Sequence, residues 1–170
     1  MPDTERITIG IDPGTAILGY GVIAGDGDAR LIDYGVFETA KDRAMPDRLV
    51  TLYDAVTRLI AEYDPHEVAV EQLFFARNVT TAIAVGQARG VVLLAAAQQG
   101  VPVAEYSPSE IKNAIVGYGK ADKKQMQEMV RIMLGLETVP QPDDAADALA
   151  IALCHAQTRQ FTARVGGGPS

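Results

Sequence analysis

The hydrophobic positions of this chain fall into short apolar runs and into longer stretches with helical spacing. The short runs predict five β-strands, over residues 6–11, 17–24, 29–39, 68–71 and 101–106. The longer stretches predict five helices, over residues 47–63, 78–99, 107–116, 122–134 and 143–160. The sequence therefore predicts an α/β fold in which strands and helices alternate after an initial group of three strands.

The connections between these runs indicate how the strands pair. The short segment from Gly25 to Asp28 joins the second and third strands, which favours an antiparallel hairpin. We expect a three-strand antiparallel meander plus two parallel strands, forming a five-stranded mixed sheet flanked by helices. Ser107 and Glu110 have the spacing of a capping box, with Pro108 between them at the first helical position, so a helix should begin there.

Four carboxylate side chains stand at the ends of predicted elements. Asp12 follows the first strand at a Pro-Gly turn, and Glu71 directly follows the apolar run Val-Ala-Val. Asp144 and Asp147 open the last helix and share one face, with Cβ atoms ~5 to 6 Å apart. If the strands of Asp12 and Glu71 are parallel neighbours, their acids meet in the crevice at the carboxyl ends of the strands.

Carboxylates that converge need a cation, because two unit charges ~4 Å apart repel by about 4 kcal/mol at an effective dielectric of 20. Oxygen ligands suit Mg²⁺ or Mn²⁺, whereas a single cysteine, Cys154, and two histidines cannot build a zinc site. Two such ions could activate a water and stabilise the leaving oxygen of a phosphodiester. The pattern therefore indicates metal-dependent phosphoryl hydrolysis.

Each acid also has a purely structural interpretation. Asp12 could be a turn residue whose side chain bonds local amides. The acids that open the last helix, Asp143 among them, could cap it and complement its dipole. Glu71 is harder to explain in this way, because no base between His66 and Arg77 could pair with it locally. The combination of the four acids favours the metal site.

Composition bounds the organisation of the chain. With 170 residues and 48% hydrophobic content, it suits one domain, which we place at residues 1–165, followed by a disordered tail at residues 166–170. The longest uninterrupted apolar run, Val91 to Ala97, is too short to cross a bilayer. The amino terminus lacks the features of a secretory signal, so we expect a cytoplasmic protein without a membrane span.

Charge is distributed unevenly along the chain, whose net charge is −7. Residues 1–71 carry 14 acids and 6 bases, whereas residues 72–134 carry 4 acids and 7 bases, so the middle third is the candidate phosphate-binding surface. The candidate DNA contacts within it are Phe74, Phe75, Arg77, Asn78, Lys112, Tyr118, Lys120, Lys123 and Lys124. Alternatively, the phenylalanines are core or interface residues and the lysines form a solvated helix face.

The predicted helix 78–99 carries one charge, Arg89, and is small or apolar on nearly all sides. Such a helix is typical of a buried position or of a contact with a second subunit. We expect a homodimer formed through this helix. A central core helix in a monomer is the alternative.

Five segments together closely resemble the RuvC family of Holliday-junction resolvases, over roughly residues 7 to 157. They are GIDPGT with GYGV, VEQLFFARN, GQARGVVLLAAA, the stretch from Tyr106 to Lys124, and PDDAADALAIA. The resemblance implies a ribonuclease-H-like fold and a homodimeric endonuclease of DNA recombination and repair. It further implies symmetric paired nicks in a four-way DNA junction with Mg²⁺ as the metal and Mn²⁺ as a substitute, and a branch-migration complex of the RuvA and RuvB type as partner. We expect two ions per active site during catalysis, and hydrolysis by an activated water that leaves 5′-phosphate ends.

The resemblance also assigns roles to single residues. The acids that match the catalytic, metal-binding set of the family are Asp12, Glu71, Asp144 and Asp147. Phe74 matches an aromatic residue that contacts junction bases, and Lys112 and Lys123 match basic residues needed for activity. Asp143 departs from the family pattern, since other members can have alanine there. Asp143 and Asp147 are also helical neighbours, so spacing alone leaves Asp143 open as a ligand, although the motif favours Asp144.

Two other functions are compatible with parts of the sequence. The segment from Gly10 to Thr15 resembles the first phosphate loop of ATP-binding proteins of the actin and sugar-kinase type. Such proteins need two lobes and a second phosphate loop, for which the chain is short. The other alternative is a junction-binding module without catalysis, although all four acids are present.

Overall fold

The computed structural model describes residues 5–72 and 78–166 of the chain. Within these residues, five strands form one sheet in the order β3-β2-β1-β4-β5. The strands are β1 (Ile7–Asp12), β2 (Ile17–Ala24), β3 (Arg30–Glu38), β4 (Glu67–Glu71) and β5 (Val103–Tyr106). The helices are α1 (Met45–Tyr63), α2 (Val79–Gln98), α3 (Pro108–Val116), α4 (Lys123–Met133) and α5 (Asp143–Gly166).

The pairing of the strands confirms the predicted mixed sheet. Strand β2 is antiparallel to both β1 and β3, which completes the meander. Strand β4 is parallel to both β1 and β5. The carboxyl ends of β1, β4 and β5 therefore lie along one edge of the sheet.

Helices cover both faces of the sheet and divide the core into two clusters. On one face, α1 and α2 pack against side chains such as Ile9, Ile11 and Val68. On the other face, α3, α4 and α5 pack around residues such as Ala69 and Leu149. Because β1 and β4 are covered on both faces, residues 8–11 and 68–70 are all buried, and Thr8 is the one polar residue among them.

Helix α5 lies unusually close to the sheet because glycines face it. A Cβ atom on Gly10 would lie 2.1 Å from the carbonyl oxygen of Ala148, and one on Gly19 would lie 2.1 Å from that of Asp144. These distances are far below van der Waals contact, so any larger residue would push the helix away. The glycines thus fix the height and position of the first turns of α5 over β1 and β2.

Capping side chains define where the shorter helices begin. The predicted capping box at α3 is confirmed, with the Ser107 side chain accepting from the Glu110 amide and Glu110 accepting from the Ser107 amide. A second capping box, between Asp122 and Gln125, opens α4 and was not anticipated from the sequence. Both boxes hold the segments that carry the candidate lysines in defined orientations.

Helix α5 is longer than the sequence predicted. The helix was predicted to end near Gln160 but continues to Gly166, so Val165 and Gly166 are helical. The hydroxyls of Thr158 and Thr162 donate to backbone carbonyls one turn earlier, so both are satisfied within the helix. The remaining tail, residues 167–170, lies outside the described residues.

Helix α2 is apolar along its length, as its sequence predicted. Its inner side chains, such as Ala88 and Val92, join the core, and its one charge, Arg89, pairs with Glu105 of β5. The prediction based on the run 91–97 was incomplete, because all 20 residues together are long and apolar enough to cross a membrane.

Candidate active site

The register of the two central parallel strands places two acids side by side. Gly10 pairs with Ala69 and Ile11 with Val70, so Asp12 and Glu71 are the next positions on β1 and β4. Side chains alternate along a strand, so Asp12 projects to the same face as Gly10, which is the face covered by α5. Asp12 and Glu71 are both half-buried.

The first turns of α5 bring the other two acids to the same edge. Gly19, against which the Asp144 backbone packs, is the pairing partner of Asp12 across β1 and β2. Asp144 and Asp147 are half-buried, whereas the two alanines between them are fully buried against the sheet. The sequence Asp-Ala-Ala-Asp therefore turns small residues to the sheet and one carboxylate per turn to the strand ends.

The pKa shifts show that the acids act on one another. Burial, followed by repulsion from Asp147, Asp144 and Glu71, raises the pKa of Asp12 to about 7, and Lys123 partly opposes this shift. Burial and the charge of Asp147 also raise the pKa of Glu71. The pKa of Asp147 is raised by burial, against the lowering effect of Lys123. All four predicted acids thus contribute to one concentrated negative field.

The acids are not arranged as a closed coordination shell. In residues 5–72 and 78–166, no group of three or more His, Cys, Asp or Glu side chains is close enough to hold an ion as it stands. The ammonium of Lys123 lies near the acids instead, with Nζ 4.0 Å from Oδ2 of Asp147. Oxygen-only ligands and a stand-in ammonium fit a hard divalent cation such as Mg²⁺, provided that the carboxylate side chains rotate towards it.

A cleft of about 450 Å³ opens beside the acids. Glu71 and Asp147 line it, together with Lys112 of α3 and Lys123 of α4. Acids and bases therefore line one cleft, whose volume admits a phosphodiester. With this arrangement, the lysines can bind a phosphate while the carboxylates hold metal ions at the bond that is cleaved.

The other predicted DNA contacts differ in how they are placed relative to this cleft. Tyr118, Lys120 and Lys124 are exposed on and beside the segment between α3 and α4, next to the two lysines of the cleft. Asn78 caps α2, since its side-chain oxygen accepts from the amides of Thr80 and Thr81. The structure thus gives Asn78 a capping role that the sequence prediction did not include.

The remaining candidates, Phe74, Phe75 and Arg77, lie outside the described residues and stay predictions. They follow Glu71 by only a few positions. Glu71 itself ends β4 and pairs in register with Tyr106 of β5.

Two contacts near the site could not be foreseen from the sequence. Asp143 forms an ion pair with Lys123, at 3.1 Å between Oδ2 and Nζ, and its other oxygen accepts from Gln127. Tyr106 bonds to Nδ1 of the buried His155 at 2.7 Å, which ties the end of β5 to α5. Neither contact follows from local sequence, because each joins elements whose packing only the tertiary fold determines.

Comparison with known proteins places the chain among nucleases. Residues 8–155 match the family model described as crossover junction endodeoxyribonuclease RuvC. The chain is 57% identical over 162 residues to the protein of that name from Desulfitobacterium hafniense (strain DSM 10664 / DCB-2), covering 95% of this chain and 98% of the relative.

Solved structures give the same picture. Thermus thermophilus RuvC in complex with Holliday junction substrate matches with a TM-score of 0.86 and 42% identity, covering 95% of this chain and 96% of the other. The yeast mitochondrial Holliday junction resolvase Ydc2 matches with a TM-score of 0.63 and 14% identity, covering 94% of this chain and 83% of that one. At that identity, the second likeness concerns the fold alone.

Proposed function

This chain belongs to the RuvC family of crossover junction endodeoxyribonucleases, and from that membership we propose how it resolves four-way DNA junctions. It is an endonuclease that cleaves Holliday junctions. We propose that it does so as a homodimer that makes symmetric paired nicks, in the cytoplasm, during recombination and repair. Membership in this family sets aside both the ATP-binding alternative and the module without catalysis.

We propose that the four acids at the strand edge hold the catalytic ions. Asp12, Glu71, Asp144 and Asp147 are the residues that would bind two Mg²⁺ ions, with Mn²⁺ as a substitute. When bound, such ions supply an activated water and charge stabilisation for the leaving oxygen. The carboxylates orient these positions from two strands and one helix. With water as the nucleophile and the 3′-oxygen as the leaving group, hydrolysis would leave a 5′-phosphate and a 3′-hydroxyl.

The bases of the cleft have the complementary task. Lys112 and Lys123 line the same cleft as Glu71 and Asp147 and would hold the phosphate that is cut. Lys120, Lys124 and Tyr118 extend this surface for neighbouring phosphates and sugars. Phe74 and Phe75 would contact bases near the cleavage point, with Arg77 and Asn78 beside them.

The homodimer is supported by the outer face of α2. Val79, Ile83 and Leu94 are exposed on it, at 74%, 58% and 51%. These side chains recur at helical spacing, so they form an apolar stripe that water would not favour and a second copy of α2 would cover. A two-fold dimer places two identical sites on a two-fold junction, so paired nicks follow from geometry. A branch-migration complex of the RuvA and RuvB type remains a proposed partner.

The observation that carries the catalytic proposal is the register that sets Asp12 beside Glu71 under the first turns of α5. The test is nicking of a four-way junction labelled in turn on each strand, with Mg²⁺ present. We expect Asp12→Asn to lower the rate by more than about 100-fold, or about 2.7 kcal/mol of transition-state stabilisation. Junction binding without Mg²⁺ should survive.

The matched control is Asp54→Asn, which removes the same charge from an exposed position on α1. This variant should nick at the rate of the unchanged protein. Full activity of Asp12→Asn would show that the acid is a turn residue and would remove the proposed metal site.

A further inference from the structure

Lys123 is shared between two carboxylates that have different surroundings. Its Nζ atom lies 3.1 Å from Oδ2 of Asp143 and 4.0 Å from Oδ2 of Asp147. Lys123 and Asp147 both line the cleft, whereas Asp143 is exposed at its rim. The nearer partner of the ammonium is therefore the acid outside the cleft.

Asp143 is itself held in place by α4. Its Oδ1 atom accepts from Nε2 of Gln127 at 3.1 Å, while its Oδ2 atom faces Lys123. Lys123 and Gln127 are four residues apart on α4, so they lie on the same face of that helix. The first residue of α5 thus makes a two-point contact with the first turns of α4, which orients its carboxylate.

An ammonium and a divalent ion compete for the same carboxylate. If Asp147 were the only acid within reach, Lys123 would settle on it, and a metal ion would have to displace it. Asp143 offers a second acceptor, so Lys123 can leave Asp147 and still keep an ionic partner. The ammonium then stays at the rim, where it faces the cleft.

We propose that Asp143 is a positioning residue that retains Lys123 at the rim of the cleft and so keeps Asp147 available to a divalent cation. This inference rests on the proposed metal-binding role of Asp147. It assigns a task to the extra acid that precedes the Asp-Ala-Ala-Asp motif. It also separates Asp143 from the metal ligands, because its oxygens are turned to α4.

The test measures metal binding without DNA, as the midpoint Mg²⁺ concentration of half-saturation in a calorimetric titration at constant ionic strength. We expect Asp143→Ala to raise this concentration about 3- to 5-fold, in the range of a single exposed ion pair. Lys123→Ala should lower it, because the competing ammonium is gone. The double variant should behave like Lys123→Ala, since Asp143 has no task once Lys123 is absent.

Two further variants distinguish positioning from general charge. Glu128→Ala removes an acid from another exposed ion pair of α4, with Arg131, and should leave the Mg²⁺ midpoint unchanged. Asp143→Glu keeps a carboxylate within reach of Lys123 and should restore most of the original midpoint. If Asp143→Ala raises the Mg²⁺ midpoint equally with and without Lys123, Asp143 acts only through its negative charge. The inference is then overturned.

The same titration tests the proposed metal-binding role of Asp147 separately. Asp147→Asn should weaken the binding of Mg²⁺ strongly. If Asp147→Asn responds like the unchanged protein, the proposed metal site itself fails and the role of Asp143 fails with it. A normal loss in Asp147→Asn, together with an unchanged midpoint in Asp143→Ala, would overturn only the role of Asp143.

Discussion

Asp12 is the residue at which burial and neighbouring charge most strongly oppose ionisation. Its pKa is raised from 3.8 to about 7, so the folded protein holds a proton there that the unfolded chain releases. A raised folded pKa contributes stability that is fully present below pH 3.8 and is lost as the pH rises through about 7. In the absence of metal, the charged form of Asp12 therefore destabilises the fold at neutral and higher pH.

This sign leads to a prediction for the metal-free protein. Asp12→Asn should raise the free energy of unfolding at pH 8 by roughly 1 to 3 kcal/mol, and the gain should vanish towards pH 4. Urea unfolding in the presence of a chelator, repeated across this range of pH, measures the difference. A loss of stability at every pH would instead indicate that the side chain serves the turn after β1.

Single residues show which parts of the site can be predicted from the sequence. The positions of Asp12 and Glu71 followed from strand ends, because a Pro-Gly turn and an apolar run are local signals. The pairing of Asp143 with Lys123 did not, since it depends on how α4 packs against α5. Helical spacing alone allows Asp143 as a ligand, and only the contacts with α4 give it another partner.

At the scale of elements, the site depends on the close approach of α5 to the meander. Local signals predicted the start of α3 correctly, because a capping box is a short-range pattern. They did not predict the far end of α5, where no strong stop signal precedes the glycines. The contact of α5 with the sheet was also beyond local reasoning, since it requires Gly10, Gly19 and Gly21 to share one face.

We predict that Gly19→Ala will disturb this contact. Its Cβ would lie 2.1 Å from the Asp144 carbonyl oxygen, which is backbone and cannot rotate away. The helix start would have to lift, so we expect a loss of roughly 2 to 4 kcal/mol in unfolding free energy and a large loss of nicking. Thermal and urea unfolding measure the first effect, and a junction assay measures the second.

Gly119→Ala is the matched control for stability, because its nearest contact atoms would be 3.9 Å away. It should change the unfolding free energy by less than about 0.5 kcal/mol. Equal losses in the two variants would mean that the close approach of α5 is not what makes Gly19 sensitive.

For the whole molecule, the apolar stripe on α2 determines the oligomeric state that we propose. Ile83→Glu places a charge in the middle of that stripe, where a second subunit would bury it without a partner. We expect sedimentation at micromolar concentration to change from dimer to monomer and paired nicks to become uncoupled. Val50→Glu is the control, because Val50 of α1 is exposed at 59%, against 58% for Ile83. If both variants sediment like the unchanged protein, another surface forms the dimer.

A protein with a net charge of −7 can bind DNA only if its bases are concentrated where the phosphates lie. The lysines of α3, α4 and the segment between them provide such a surface, so junction affinity should fall steeply with salt. We predict that Lys120→Ala will reduce the slope of log Kd against log salt by about 1, while Lys41→Ala, an exposed change beyond the cleft, will leave it unchanged. Fluorescence anisotropy with a labelled junction and a chelator measures both slopes without cleavage. Equal slopes for the two variants would mean that Lys120 makes no phosphate contact and that the DNA follows another path from the cleft.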